Sequence, residues 1–459
     1  MTHSTETTRE AILGALNATH GLTLLHNVLD SEAGQAVLTL FRLLVAHEPD
    51  APAVAQAYSR AFSELAHITN SDALLPNISD AWQAYLIGSI VDSVNPWSKQ
   101  AERVPTAHIA TGLREQAKRD LQGLHLLYTL SAQHIWELTQ DSVVKFLPGL
   151  HNAWVPWHNL AVERETARTA REILMHQLAT MQDWTTSTTF LEDYWRQHGT
   201  GIFAHYAVLR WDGRVEGLRG IAHPDPIQLA NLVGYEHEKA RLRTNLDHFV
   251  HGLPAHDTIL YGAPGTGKSS TVKALANAYA DMGLRLIEVR KEFVHDLPVI
   301  VNQVRGHAPY FLLFIDDLSF EEHETEYKAL KVLLEGAAEA RPANVLIYAT
   351  TNRLNLIREN FADRGKPNDD VHWRDTLDEK ASLVARFGLR VTFMTPDQEQ
   401  YLDIVIGLAR QRGLTLSEED LRLRALTWER QHTGRSGRLA RQFIDDLEAE
   451  QKMGNGAWQ

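Results

Sequence analysis

Over residues 1 to about 200, apolar positions return every three or four residues, the spacing that lays them along one face of a helix. AILGALNATHGLTLLHNVL, AGQAVLTLFRLLVAH and APAVAQAYSRAFSELAH carry the pattern, with a polar break at His47-Glu48-Pro49-Asp50 between the last two. HIATGLREQAKRDLQGLHLLYTLSAQHIWEL and ERETARTAREILMHQLATM extend it. The spacing predicts a mostly α-helical N-terminal domain over 1–200. No fixed-period repeat runs through it, so a stacked helical solenoid has no support. Trp82, Trp97, Trp136, Trp154, Trp157, Trp184 and Trp195 all fall here. They fit core aromatics between packed helices better than an exposed surface for stacking a peptide or nucleobase.

The pattern changes at 202–221. IFAHYAVLRW and RVEGLRGI flank Asp212-Gly213 and predict two short strands around a turn. His223-Pro224-Asp225-Pro226 follows as a rigid linker, because each proline fixes its own φ and restricts the residue before it. Residues 201–226 are thus expected to be a short β hairpin and linker. From 227 to 395 strand and helix patterns alternate, which predicts an α/β core with a parallel sheet and helical crossovers. Residues 396–459 return to helices as a lid. There Asp397 with Gln400, and Ser417 with Asp420, stand where a capping residue and its reciprocal partner belong, although Asp is a weaker partner than Glu or Gln.

The chemistry concentrates in the α/β segment. Thr258-Ile259-Leu260-Tyr261 is a strand, TVKALANAYA a helix, and between them lies GAPGTGKSS, which is Gly262, Ala263, Pro264, Gly265, Thr266, Gly267, Lys268, Ser269 and Ser270. The loop matches G-x-x-x-x-G-K-[ST] in its required strand–loop–helix context. Glycines let consecutive backbone N–H groups converge on phosphate oxygens, and the helix N-terminus adds a favourable field for an anion. In such a loop Lys268 reaches the β- and γ-phosphates, and the Ser269 hydroxyl is a magnesium ligand. Further along, the apolar run Phe311-Leu312-Leu313-Phe314-Ile315 ends in Asp316-Asp317, a strand buried on both faces that presents two carboxylates to the ligand crevice. Asp316 fits the aspartate that holds magnesium. A third such strand, Val345–Thr350, leads to Thr351-Asn352, and a polar side chain at that tip can orient a water against the γ-phosphate. ATP and Mg2+ are the ligands these residues imply.

Composition narrows the rest. At 459 residues the chain divides into two or three domains, and 44% hydrophobic with 22% charged residues is the balance of a soluble globular protein. A net charge of −13 works against non-specific attraction to nucleic acid. The absence of cysteine excludes disulfides, thiolate catalysis and Cys-based zinc sites. MTHSTETTRE lacks the features of a signal peptide, and nowhere do about 18 apolar residues run together, so a cytoplasmic protein with no membrane span is expected. The 23 histidines include no H-E-x-x-H, and no G-x-S-x-G elbow occurs.

The order of these motifs, followed by Leu383-Val384-Ala385-Arg386-Phe387-Gly388 and then His432-Thr433-Gly434-Arg435-Ser436-Gly437-Arg438, resembles the AAA+ superfamily of P-loop ATPases from about 225 to 450. More narrowly, LVGYEHEK at 232–239, IDDLSFEE, ATTN and SGRLARQF are similar to the bacterial ATP-binding family catalogued as domain of unknown function 815. The resemblance implies an ATPase with an AAA+ core and helical lid. It sets Asp317 where many members have the glutamate that polarises water, one methylene shorter, with Glu321 or Glu322 as alternatives. Asn352 takes the sensor 1 position. Arg386 matches the arginine finger, which reaches a neighbouring subunit's γ-phosphate. Arg438 matches the sensor 2 arginine, with Arg435 as competitor, and Val233, Gly234 and Tyr235 match the segment around adenine. A homo-oligomer in the ATP state is implied, with an unknown protein partner engaged through the N-terminal domain. ATP-driven remodelling of that partner is one expectation. A nucleotide switch or loader acting with nucleic-acid machinery, or a non-hydrolysing ATP-bound scaffold, are the others. LRLIEVR is followed by KEFVHDLPVIVNQVRG without an aromatic-glycine pair, which argues against a processive unfoldase.

Overall fold

The computed structural model describes residues 2–70, 78–144, 146–150, 153–158, 160, 169–319, 330–331, 333–334, 341–352, 383–432 and 434–454. The chain forms two compact units. One comprises residues up to Tyr206 together with Gly306–Pro309, and the other runs from Ala207 without that short segment.

The first unit is helical, with α1 (Thr2–Thr19), α2 (Glu32–Leu44), α3 (Ala51–Asn70), α4 (Ala81–Val91), α5 (Pro96–Arg103), α6 (Thr111–Tyr128), α7 (Ala132–Val143), α8 (Ala170–Thr180), α9 (Thr188–His198) and α10 (Ile202–His205). The long apolar pattern from His108 to Leu138 is two helices, because Ser131 caps α7 by accepting from the His134 N–H. Asp80 fixes the start of α4 through the Trp82 and Gln83 amides and also accepts from the Ala132 N–H at 2.7 Å. One carboxylate thereby ties two helix beginnings. Residues 202–205, expected as strand, turn instead into α10, where the neighbouring Phe203 and Ala204 are both buried. A strand would send them to opposite faces.

Trp82, Trp97, Trp157, Trp184 and Trp195 are fully buried, and Trp136 and Trp154 pack against the same core. Trp82 donates its indole N–H to the Leu127 carbonyl at 3.1 Å, Trp97 to Glu192 at 2.9 Å and Trp195 to the Val91 carbonyl at 2.7 Å, whereas the buried Trp157 N–H has no acceptor among the described residues. Large apolar rings whose polar tips are mostly satisfied suit a helical core.

The second unit holds β1 (Val208–Trp211), β2 (Leu218–Gly220), β3 (Thr258–Gly262), β4 (Leu284–Val289), β5 (Tyr310–Ile315), β6 (Val345–Thr351) and β7 (Leu389–Phe393) in the order β2-β1-β4-β5-β6-β3-β7. β1 and β2 are antiparallel, and the other pairs are parallel. The hairpin read as a segment ahead of the core therefore forms an edge of the sheet itself. β5, and β6 as far as Ala349, are mostly apolar because helices cover both faces of such a sheet. Helices α11 (Glu236–Val250), α12 (Lys268–Tyr279) and α13 (Leu297–Val304) belong to this core.

Helices α14 (Gln398–Gln411), α15 (Glu418–Gln431) and α16 (Gly437–Gly454) follow, with their own core of Tyr401, Val405, Leu421, Ala440, Phe443 and Ile444 among others. Asp397 and Gln400 form the reciprocal cap. Asp420 does not reach the Ser417 amide; its shorter side chain takes the Ser417 hydroxyl at 2.6 Å. Among the described residues no helix is long and apolar enough to cross a membrane.

Candidate functional site

The register of three strands decides which residues meet. Ile315 lies opposite Ala349 and Tyr261 opposite Thr351, so the C-terminal ends of β5, β6 and β3 lie side by side. β3 lies between β6 and β7, whereas α12 leads from it to β4 beyond β5. That is a switch in strand order, the place where open α/β sheets bind ligands.

The loop from Gly262 to Ser270 fills this end. A Cβ on Gly262 would stand 2.1 Å from the Phe393 carbonyl oxygen, so no side chain fits. Gly265, at φ 80°, lies under Ser436 and Arg438, and its carbonyl accepts from the Arg438 N–H at 3.1 Å. Lys268 opens α12 and is buried. Its ammonium donates to the carbonyls of Gly262 (2.7 Å) and Ala263 (2.9 Å) and to Oδ1 of Asn352 (2.8 Å). Burial pulls its pKa below the ordinary lysine value; Asp316 and Asp317 oppose that shift and Arg438 adds to it.

Ser269 donates to Oδ1 of Asp316 at 2.6 Å. Asn352 bridges the two halves of the site, accepting from Lys268 and donating from Nδ2 to Asp317 at 2.9 Å. Lysine only donates and carboxylate only accepts, so this arrangement fixes which way the carboxamide faces. Asp317 has φ 52°, a left-handed conformation costly for a residue with a Cβ.

These groups border a cavity of about 470 Å3. Pro264 to Ser270 line it with Asp316, Asp317 and Asn352, while Gly262 and Ala263 lie behind as acceptors for Lys268. Val233, Gly234 and Tyr235 form a further wall, and Ile404, Leu408 and Arg438 face in from the lid helices. Tyr235 has φ 58°, donates its hydroxyl to the Met394 carbonyl at 2.6 Å and lies 5.1 Å from the Phe393 ring. Burial, with Glu238 second, pushes its phenol up to about 12.

Of the two arginines expected to compete for the sensor 2 position, Arg438 lines the cavity, and Arg435 pairs with Glu429 at 2.8 Å. Arg386 is not among the lining residues. It sits in the turn before β7, the edge strand beside β3, between the buried Leu383 and Phe387. Glu321 and Glu322 lie outside the described residues.

The sequence reading passed over Thr350, Lys239 and Arg441, all of which line the cavity. Thr350 is the hydroxyl that ends the apolar run Val345–Ala349, a signal visible in the sequence. Arg441 stands three positions after Arg438, on the same helical face. Lys239 had no such signal; its buried ammonium holds the Leu232 carbonyl at 2.6 Å.

The model of the family described as Protein of unknown function (DUF815) matches residues 204–451, and the chain belongs to that family. The chain is also similar to three proteins of Schizosaccharomyces pombe. The 26S proteasome regulatory subunit 6B homolog is 23% identical, over 45% of this chain and 65% of that protein. The 26S proteasome regulatory subunit 4 homolog is 31% identical, over 24% and 30%. The ATPase family gene 2 protein is 28% identical, over 32% and 21%. The chain thus spans less than two thirds of the length of each. Among solved structures it is similar to the Thermotoga maritima RuvB Holliday junction branch migration motor, at 16% identity and a TM-score of 0.34 over 50% of this chain and 65% of that one. The family and these relatives agree with the sheet and loop: the fold is an AAA+ P-loop ATPase core with a helical lid, preceded by a helical unit.

Proposed function

We propose that this AAA+ family member binds ATP with Mg2+, hydrolyses it, and uses turnover to change its own conformation and remodel a protein partner. The observation that carries the reading is the chain Lys268–Asn352–Asp317 beside the pair Ser269–Asp316, all lining one cavity. In this reading residues 227–395 are the nucleotide-binding core, 396–459 the lid, and the N-terminal helical unit the partner-binding part.

Ser269 and Asp316 offer a hydroxyl and a carboxylate from two elements at one point, hard oxygens that suit magnesium, which takes one or two protein ligands and keeps its waters. Held by Ser269 and Asp316, the metal would neutralise charge on the phosphate oxygens. Lys268 leaves its loop carbonyls for the phosphates, exchanging neutral acceptors for charged ones. Val233, Gly234 and Tyr235 pack around adenine, and Arg438 faces the phosphates from the lid. Asp317 and Asn352 orient a water, whose oxygen bonds to the γ-phosphorus as the bond to the β–γ bridging oxygen breaks. The water's proton passes to Asp317 and on to solvent, leaving ADP and phosphate. Arg386, on the edge of the sheet, enters a neighbouring subunit's site in a homo-oligomer.

Asp317→Asn tests the reading. It should bind ATP within about threefold of wild type yet lose on the order of 10²-fold in turnover, the scale of a lost base. Light scattering should show the ATP-held protein larger than the nucleotide-free one. Unchanged turnover in Asp317→Asn would move the reading to Glu321 or Glu322 as base, and no turnover in wild type would leave a scaffold.

A further inference from the structure

The Thr350 side chain in β6 touches both acidic residues. It is buried at 2% exposure in a strand whose other residues before it are Val345, Leu346, Ile347, Tyr348 and Ala349. Burying a hydroxyl is unfavourable unless it is hydrogen-bonded, and this one is bonded in both senses. It accepts from the Asp317 N–H at 2.9 Å and donates to Oδ1 of Asp316 at 2.5 Å. The amide can only donate, so the hydroxyl's single proton is committed to Asp316. The Thr350 carbonyl also accepts from the Leu318 N–H at 2.7 Å. One residue thus binds both amides of the turn that follows β5.

That turn carries the left-handed Asp317, and such a conformation persists only where its surroundings over-determine it. The bonds to Thr350 do this. They also hold Oδ1 of Asp316, the same oxygen that the loop helix reaches through Ser269.

We propose that Thr350 is a positioning residue for both acids: its hydroxyl holds Asp316 toward the metal and fixes the turn that presents Asp317 to the water. This rests on the magnesium-ATP reading above. Once Ser269 turns to the metal, the Thr350 hydroxyl is the bond that still orients Asp316. Residues that orient a metal-ligating carboxylate typically matter by about 10- to 100-fold in metal affinity or activity.

The test compares Thr350→Val, which keeps the shape and removes the hydroxyl, with Thr350→Ser, which keeps the hydroxyl and removes the methyl. A fluorescent ADP is titrated into each in EDTA and in Mg2+, and ATP turnover is followed alongside. Thr350→Val should bind within about threefold of wild type in EDTA but lose most of the gain that Mg2+ gives, with turnover down about 10- to 100-fold. Thr350→Ser should retain both within about threefold. A full Mg2+ gain in Thr350→Val overturns the proposal. So does a Thr350→Ser protein as impaired as Thr350→Val, because the methyl packing would then be what matters. Wild type that binds ADP with an Mg2+ gain but shows no turnover removes the hydrolysis reading while leaving the Asp316 role to be decided by the same titration. Wild type with no Mg2+ gain overturns both.

Discussion

Lys268 and Asn352 are joined by a hydrogen bond of 2.8 Å between the first residue of α12 and the tip of β6. The other end of the same carboxamide holds Asp317 at 2.9 Å. In the proposed function the group that would meet phosphate and the group that would meet water are therefore linked through one side chain, and a phosphate that drew Lys268 away would alter what Asn352 offers to Asp317.

Asn352→Ala should consequently separate binding from chemistry. Removing one oriented polar group at a reacting centre costs about 10²- to 10³-fold in rate, while ATP affinity should change by less than about tenfold. Asn352→Asp should be worse in turnover, since it sets a second carboxylate against Asp317. Phosphate release and equilibrium binding measured on the same preparations check this. An affinity that falls as far as the rate would make Asn352 a structural tie only.

Lys268 also sets a pH dependence. Burial lowers its pKa, so the ammonium is complete below the depressed value and lost as pH rises through it. The sign for stability follows: a buried lysine charged in both folded and unfolded chains disfavours folding, and this is relieved as pH rises from the depressed value towards the ordinary one. For binding the sense is opposite, because phosphate needs the charge. ATP affinity should fall on the alkaline side, by about tenfold per pH unit once the depressed value is passed, and binding there should take up a proton. Lys268→Arg, which stays charged, should show no such fall. Calorimetry in buffers of different ionisation heat reads both effects, and equal alkaline profiles for the two proteins would contradict the assignment.

Arg386 makes the expected oligomer testable. Arg386→Ala should bind ATP normally and turn it over poorly, since fingers supplied by a neighbour contribute on the order of 10³-fold or more. Mixed with Lys268→Ala it should regain activity, because some interfaces then unite an intact loop with an intact finger. An ATPase titration of one variant against the other, with light scattering alongside, reads this. Activity that never exceeds the sum of the two variants, in a protein that stays monomeric with ATP, would leave Arg386 as a structural arginine.

Much of this was legible in the chain because the strongest signals are local. The loop from Gly262 to Ser270 announces itself by spacing, and the apolar runs ending at Asp316 and Asn352 announce strands buried on both faces. Register brought those three ends together, and the sequence does not print register. The role of Thr350 was hidden for that reason: it depends on Ile315 lying opposite Ala349, which sets Thr350 beside the turn at Asp316 and Asp317. The Ile202–His205 helix was missed because four apolar or half-polar residues fit a strand and a helix turn equally. The hairpin after it was visible, but its pairing with β4 is a long-range contact that no local pattern encodes.

Phosphate release by wild type and Lys268→Ala, with and without Mg2+, tests most directly whether Lys268 and its loop bind ATP for magnesium-dependent hydrolysis. Wild type should release phosphate steadily and stop when Mg2+ is chelated. Lys268→Ala should bind ATP about 10- to 100-fold more weakly, the scale of a hydrogen bond to a charged group, and release no phosphate above background. Equal affinity and equal release in the two proteins would contradict it.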